Sequence, residues 1–116
     1  KILSFTVDPV NDTVQRMKWY ANKHNATSGN WHFLTGDQAE IYRFSNEGFR
    51  LYAGVNPSAA GGFEHSGMFA LVDKKGYIRS RTVRVGEQSN PIKFYDGLDL
   101  KAIEMLKEDI QILLEE

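Results

Sequence analysis

The chain opens on Ile2-Leu3-Ser4-Phe5-Thr6-Val7, a β-rich run that is apolar on both faces, as in a strand buried between helices in a parallel sheet. Asp8-Pro9 ends it. Asn11-Asp12-Thr13 then offers helix caps, with Gln15 three residues after Asp12, and Val14, Met17 and Ala21 recur at the spacing of one buried helical face. This predicts a helix over 12–24. The polar stretch 23–30 closes it, and Trp31-His32-Phe33-Leu34-Thr35 reads as a second strand stopped by Gly36. Asp37-Gln38-Ala39-Glu40 repeats the capping logic, and a shorter helix over 38–46 would bury Ile41 and Phe44 before a stop at Gly48.

Residues 53–67 hold Gly54, Pro57, Gly61, Gly62 and Gly67 and read as a long loop. Met68-Phe69-Ala70-Leu71-Val72 is a nearly continuous apolar strand, and Asp73-Lys74-Lys75-Gly76 suits a hairpin turn with Gly76 in the left-handed position. The partner strand runs from Tyr77 to about Val85. Its Arg79, Arg81 and Arg84 suggest a solvated sheet edge, with an acidic partner surface as the alternative. After an irregular stretch over 86–97, Asp99 caps a final helix striped by Ile103, Leu106, Ile110 and Leu113. The order is β-α-β-α-β-β-α, an α/β domain with helices on the faces of its sheet.

Composition narrows the function classes. The 116 residues are 41% apolar and 25% charged, as expected of one globular domain, and 14 basic against 15 acidic side chains leave a net charge of −1. No global field favours nucleic acid or an anionic membrane, so dedicated polyanion binding is disfavoured and no nucleic-acid partner is expected. With no Cys, the chain by itself makes no disulfide, thiolate metal site or cysteine nucleophile. No run approaches the ~18–20 apolar residues of a membrane-spanning helix. Dinucleotide fingerprints, phosphate loops, HExxH and serine elbows are absent, and Ala59-Ala60-Gly61-Gly62 lacks the Lys of a phosphate site. An opening at Lys1, directly into a strand, suggests that an amino-terminal piece is missing.

Few residues carry candidate chemistry. His65 follows Gly61-Gly62-Phe63-Glu64, small residues that let a loop swing a ligand toward a sheet; the competing reading is an exposed loop histidine bonded to Glu64 or Ser66. His24 suits the carbonyl end of a helix, and His32 a strand's wet face or a backbone partner. Nothing in the spacing of His24, His32 and His65 brings them together as a metal site. Asp8 either tunes a nearby ligand or opens a turn with Pro9, Asp73 makes the hairpin turn, and Trp19, Tyr20 and Phe44 read as helix packing.

Ile2-Leu3-Ser4-Phe5-Thr6-Val7-Asp8-Pro9 with Asp12-Thr13, then Trp31-His32-Phe33-Leu34-Thr35-Gly36, then His65-Ser66 before Phe69-Ala70-Leu71-Val72-Asp73 resemble the Sco/SenC family over nearly the whole chain. The resemblance implies a single thioredoxin-like domain over 1–116, truncated at its amino terminus, so that the first strands and the cysteine-bearing helix of that fold are absent from this chain. It also implies a copper chaperone for cytochrome c oxidase assembly, extracytoplasmic or periplasmic and tethered to a membrane only through an anchor outside this chain. The copper would pass to a cytochrome c oxidase subunit or another copper-accepting protein. The family's copper site joins a C-x-x-x-C pair to a distal histidine, and His65 matches that histidine. The cysteine pair has no counterpart here, so copper (the expected cofactor) requires cysteine ligands supplied from outside this chain. Two soft thiolates and one imidazole suit cuprous copper; a lone imidazole does not hold it selectively. The alternatives are a thiol-disulfide oxidoreductase or peroxiredoxin-like enzyme, in which His65 only tunes a thiolate, and a cysteine-free thioredoxin-like interaction module. A chain lacking the central strand of such a sheet is expected to be unstable unless another segment or molecule supplies it.

Overall fold

A computed structural model describes all 116 residues. They form two compact units, Lys1–Ser66 and Gly67–Glu116. In the first, β1 (Ile2–Phe5) pairs in parallel with β2 (Trp31–Leu34), and α1 (Val14–Lys23) makes the crossover between them. The register sets Ile2 against Trp31 and Phe5 against Leu34, and the Trp31 indole N–H donates to Ser4 Oγ at 3.0 Å across the pair. This is the βαβ arrangement expected of parallel neighbours.

The cap of α1 is Thr13, whose hydroxyl accepts from the Arg16 amide at 3.2 Å. Asp12 stays outside the helix because its carboxylate accepts from the Thr6 hydroxyl at 2.5 Å, which ties the end of β1 to the start of the crossover. The inner stripe is shallower than its spacing predicts: Met17 and Ala21 are half-buried and Val14 is exposed. Trp19 does not pack as expected and stands 61% exposed. β1 is likewise not enclosed between layers. Ile2, Leu3 and Phe5 all stay open to solvent, because β2 is the one strand hydrogen-bonded to it.

Helix α2 (Gln38–Arg43) is capped by Asp37, whose carboxylate accepts from the Glu40 amide at 3.0 Å. It passes into a π-helical turn, Phe44–Phe49, that ends at Arg50 in the left-handed region (φ 56°) and not at Gly48. Gly48 sits inside the widened turn, where an added Cβ would stand 3.6 Å from the Phe44 ring. That ring packs on Phe5 and Phe49, with centroids 5.3 and 5.0 Å away. The long loop expected over 53–67 is instead a hairpin. β3 (Ala53–Val55) and β4 (Phe63–His65) pair antiparallel around a 3-10 turn at Ala60–Gly62, and the positive φ angles of Gly61 (77°) and Gly62 (84°) allow the reversal.

In the second unit the apolar run 68–72 serves two different pairings, which splits it. β5 (Met68–Phe69) pairs with β10 (Tyr95–Asp96), and β6 (Leu71–Val72) pairs with β7 (Ile78–Arg79). The turn between β6 and β7 is the expected one: Gly76 has φ 87°, and Asp73 Oδ1 accepts from the amides of Lys75 and Tyr77. The stretch 86–97 is not irregular. β8 (Thr82–Val85) and β9 (Gln88–Pro91) close a hairpin through Gly86-Glu87, with Gly86 at φ 63°, the position a two-residue turn reserves for glycine. Asp99 caps α3 (Leu100–Glu115) as expected, accepting from the Lys101 amide at 3.0 Å. Ile103, Leu106, Ile110 and Leu113 make a half-buried stripe around the buried Ala102. Tyr95 is the largest wholly buried side chain, at 0% exposure. The Arg-rich strand is not simply solvated, since Arg79 and Arg81 are both consumed in ion pairs within this unit.

Candidate functional site

His65 closes β4, opposite Ala53 on β3. The hairpin is held at its open end by the Ser66 amide, which donates to the Tyr52 carbonyl at 3.0 Å, and at its turn by the Asn56 amide on the Gly62 carbonyl at 2.9 Å. The imidazole is exposed, and its Nδ1 lies 3.1 Å from the Ser66 carbonyl oxygen. A carbonyl only accepts, so in this contact Nδ1 is the donor and Nε2 is the ring nitrogen pointing away from it. A backbone carbonyl on one ring nitrogen is the usual way a histidine is oriented for metal binding through the other.

The strand beneath His65 is fixed from an unexpected direction. Asn46, on the π-helical turn, donates its amide to the Ala53 carbonyl at 2.8 Å and accepts from the Ala53 amide at 3.1 Å, imitating a neighbouring strand. Ser45 adds a hydroxyl bond to the Leu51 carbonyl at 2.6 Å. The widened turn therefore places two successive polar side chains on the segment that leads into the hairpin, a local use of the π geometry that recurs at functional sites. Asn46 is a positioning residue that the sequence pattern does not reveal, because an Asn after a short amphipathic helix reads as a helix terminator. Asn46→Ala is expected to cost about 1–2 kcal/mol through the lost pair of hydrogen bonds. Hydrogen exchange at the Ala53 amide should accelerate accordingly, while exchange in α1 stays unchanged.

The other candidate residues sit apart from any metal geometry. No group of three or more His, Cys, Asp or Glu side chains is placed to hold an ion. His24 is the C-cap of α1, with its ring 4.4 Å from that of Tyr20, and His32 is exposed on β2. Asp8 makes its turn, accepting from the Asn11 side chain at 2.9 Å. Near the end of β1, the Tyr42 hydroxyl donates to the Val7 carbonyl at 2.5 Å, and burial raises its pKa above the ordinary phenol value. A shallow hollow on α2 and the π-helical turn, lined by Glu40, Arg43, Phe44, Glu47 and Gly48, does not include His65. The residues present thus fit one imidazole ligand position and do not make a metal site by themselves. No helix is long and apolar enough to cross a membrane.

The profile of the SCO1/SenC family matches residues 1–95, from β1 to the start of β10 and through His65. The chain belongs to the SCO1/SenC family. It is 34% identical over 79 residues to a SCO1 protein homolog of Bacillus subtilis (strain 168), an alignment that spans 67% of this chain and 40% of that protein. It is also similar to the crystal structure of a SCO1/SenC family lipoprotein from Bacillus anthracis str. Ames, with a TM-score of 0.72 and 24% identity over 97% of this chain and 58% of that one. The fold is therefore the mixed α/β, thioredoxin-like fold of a SCO1/SenC protein. The chain spans less than two thirds of the length of each of these relatives. In this SCO1/SenC chain residues 2–13 form β1 and the turn after it, residues 31–36 contain β2, and residues 65–73 run from the end of β4 through β6.

Proposed function

We propose that this chain is part of a Sco-type copper chaperone that serves copper-centre assembly in cytochrome c oxidase, with His65 as one copper ligand and cysteine thiolates supplied from outside the chain. Copper is the cargo, handed to an oxidase subunit or another copper-accepting protein. The observation that supports the reading is the placing of His65 in a SCO1/SenC chain: exposed at a strand end, with Nδ1 3.1 Å from the Ser66 carbonyl oxygen, which leaves Nε2 as the ring nitrogen available to a ligand. An imidazole is a borderline donor that completes a trigonal site with two thiolates, and deprotonated sulfur supplies the preference for the cuprous ion. The likeness to a lipoprotein supports an extracytoplasmic location reached through a membrane anchor.

The test is a cuprous competition titration against a chromophoric chelator, on protein that carries the C-x-x-x-C pair. His65→Ala is expected to weaken copper binding at least about tenfold, since loss of even an outer hydrogen-bond partner costs a metal site about 10–100-fold. The thermal transition should not move, because the side chain is exposed. Unchanged copper affinity would remove His65 from the site. Copper loss with thiol reductase activity intact would separate cargo binding from thiol chemistry.

A further inference from the structure

Helix α1 carries a face that neither the fold nor the copper reading uses. At 100° per residue, Met17 and Ala21 mark the side turned to the first unit, where both are half-buried. Trp19 falls on the opposite side with Gln15 and Lys23, and is 61% exposed. A packing role would put an indole on the inner side. The Lys23 ammonium lies 5.1 Å from the centre of the Trp19 ring, so charge and ring are presented together. From Val14 to His24 the helix has Arg16, Lys18 and Lys23 and no acidic residue. Asp12, just before it, reaches Arg16 only at 3.8 Å in an exposed pair, a contact of little energetic weight. The near-zero net charge of the chain conceals this local excess of three positive charges.

We propose that this face of α1 docks on the surface of a bilayer containing anionic phospholipid, with Trp19 seated at headgroup depth and Arg16 and Lys23, which share its side of the helix, on lipid phosphates. Charge complementarity argues for that occupant: an indole with its polar N–H prefers the interface between water and hydrocarbon, and long basic side chains lay their stems along apolar surface while their heads stay with phosphate. Each cation close to such a surface strengthens binding about fivefold at low salt. The indole contributes through buried apolar area, about tenfold for one large ring partly inserted. The docking needs neither copper nor cysteine, so it stands or falls independently of the chaperone reading.

The experiment is co-sedimentation of the full chain with vesicles of equimolar phosphatidylglycerol and phosphatidylcholine, against vesicles of phosphatidylcholine alone, while tryptophan emission is recorded. The expected result is partitioning to the anionic vesicles only, weakened by added salt. Trp19→Ala should reduce it about tenfold, and Arg16→Gln and Lys23→Gln about fivefold each. Trp19→Phe should bind with little loss but without the blue shift of emission that the parent shows. Far-UV circular dichroism checks that each variant keeps α1. Equal behaviour on both vesicle types, or Trp19→Ala binding like the parent, overturns the proposal. Retention by immobilised polyglutamate that depends on Trp19, with no vesicle binding, overturns it in favour of an acidic protein surface.

Discussion

Tyr95→Ala is expected to lower the stability of the second unit by about 3–5 kcal/mol, the usual cost of truncating a buried aromatic ring. Tyr95 is the residue around which that unit is built: it is wholly buried, it sits on β10 opposite Phe69 on β5, and its hydroxyl donates to Asp109 on α3 at 2.6 Å. Truncation leaves a cavity between strand and helix and strips the carboxylate of one donor. The surroundings have little room to close in, since at neighbouring Gly97 an added Cβ would meet the Phe69 ring at 2.6 Å and the Gly67 carbonyl at 2.8 Å. Tyr95→Phe keeps the ring and loses only the hydrogen bond, so it should cost about 1–2 kcal/mol. Urea unfolding followed through hydrogen exchange of the α3 amides separates the two contributions; equal losses for Ala and Phe would mean that the hydroxyl, and not the ring, holds the helix.

Asp109→Ala is the second large effect, about 2–3 kcal/mol, because it leaves a cation and a buried phenol without their shared acceptor. Arg81 grips Asp109 through Nε at 2.9 Å and Nη2 at 2.7 Å, a two-pronged geometry. Nη2 also donates to the Met105 carbonyl at 3.0 Å and to Glu108 at 2.9 Å. The hydrogen bonds from Arg81 hold the Asp109 carboxyl below the usual carboxylate range, against the opposing effect of burial, and the Tyr95 hydroxyl adds to the lowering. Burial, followed by the bond to the Asp109 carboxylate, pushes Tyr95 up to about 12.

The sign of the pH dependence follows. A carboxyl that is more acidic folded than unfolded binds fewer protons in the native state, so its contribution is full above the unfolded value, near 4, and is lost as pH falls through the folded value. Asp73, lowered chiefly by the Tyr77 amide, and Glu116, lowered chiefly by Arg79, act in the same direction at the exposed Arg79 cluster. The parent chain should therefore lose stability as the solution is acidified below about pH 4, and Asp109→Ala should lose less over the same range. Denaturation midpoints across an acid series measure this. A variant that stays parallel to the parent would show that Asp109 does not carry the acid sensitivity.

Local chemistry was legible in the sequence wherever a few neighbouring residues settle the matter. Asp37 and Asp99 cap their helices, Asp73 and Gly76 turn their hairpin, and β1 and β2 run parallel around α1 because the crossover between them is a helix. The hairpin that carries His65 was not legible, since glycine and proline mark a reversal without saying whether the flanks pair. The split of 68–72 was hidden for a related reason: an apolar run shows that a strand forms, while its partner is chosen by segments far along the chain.

What the sequence by itself determined is the kind of each element, the caps and turns that bound it, and the motifs that put the chain in the SCO1/SenC family. These depend on backbone dihedral preference and on hydrogen bonds reaching three or four residues, and such information is local. Only the tertiary structure decided that Asn46 would act as a strand for Ala53, that Arg81, Tyr95 and Asp109 would close one network, and that Trp19 would face outward beside Lys23. The first two join residues separated by several to 28 positions, with directed bonds that form only once the elements are packed. The third turns on which side of α1 packs inward, and an amphipathic period with Trp and Met on different sides leaves that choice to the surface the helix meets.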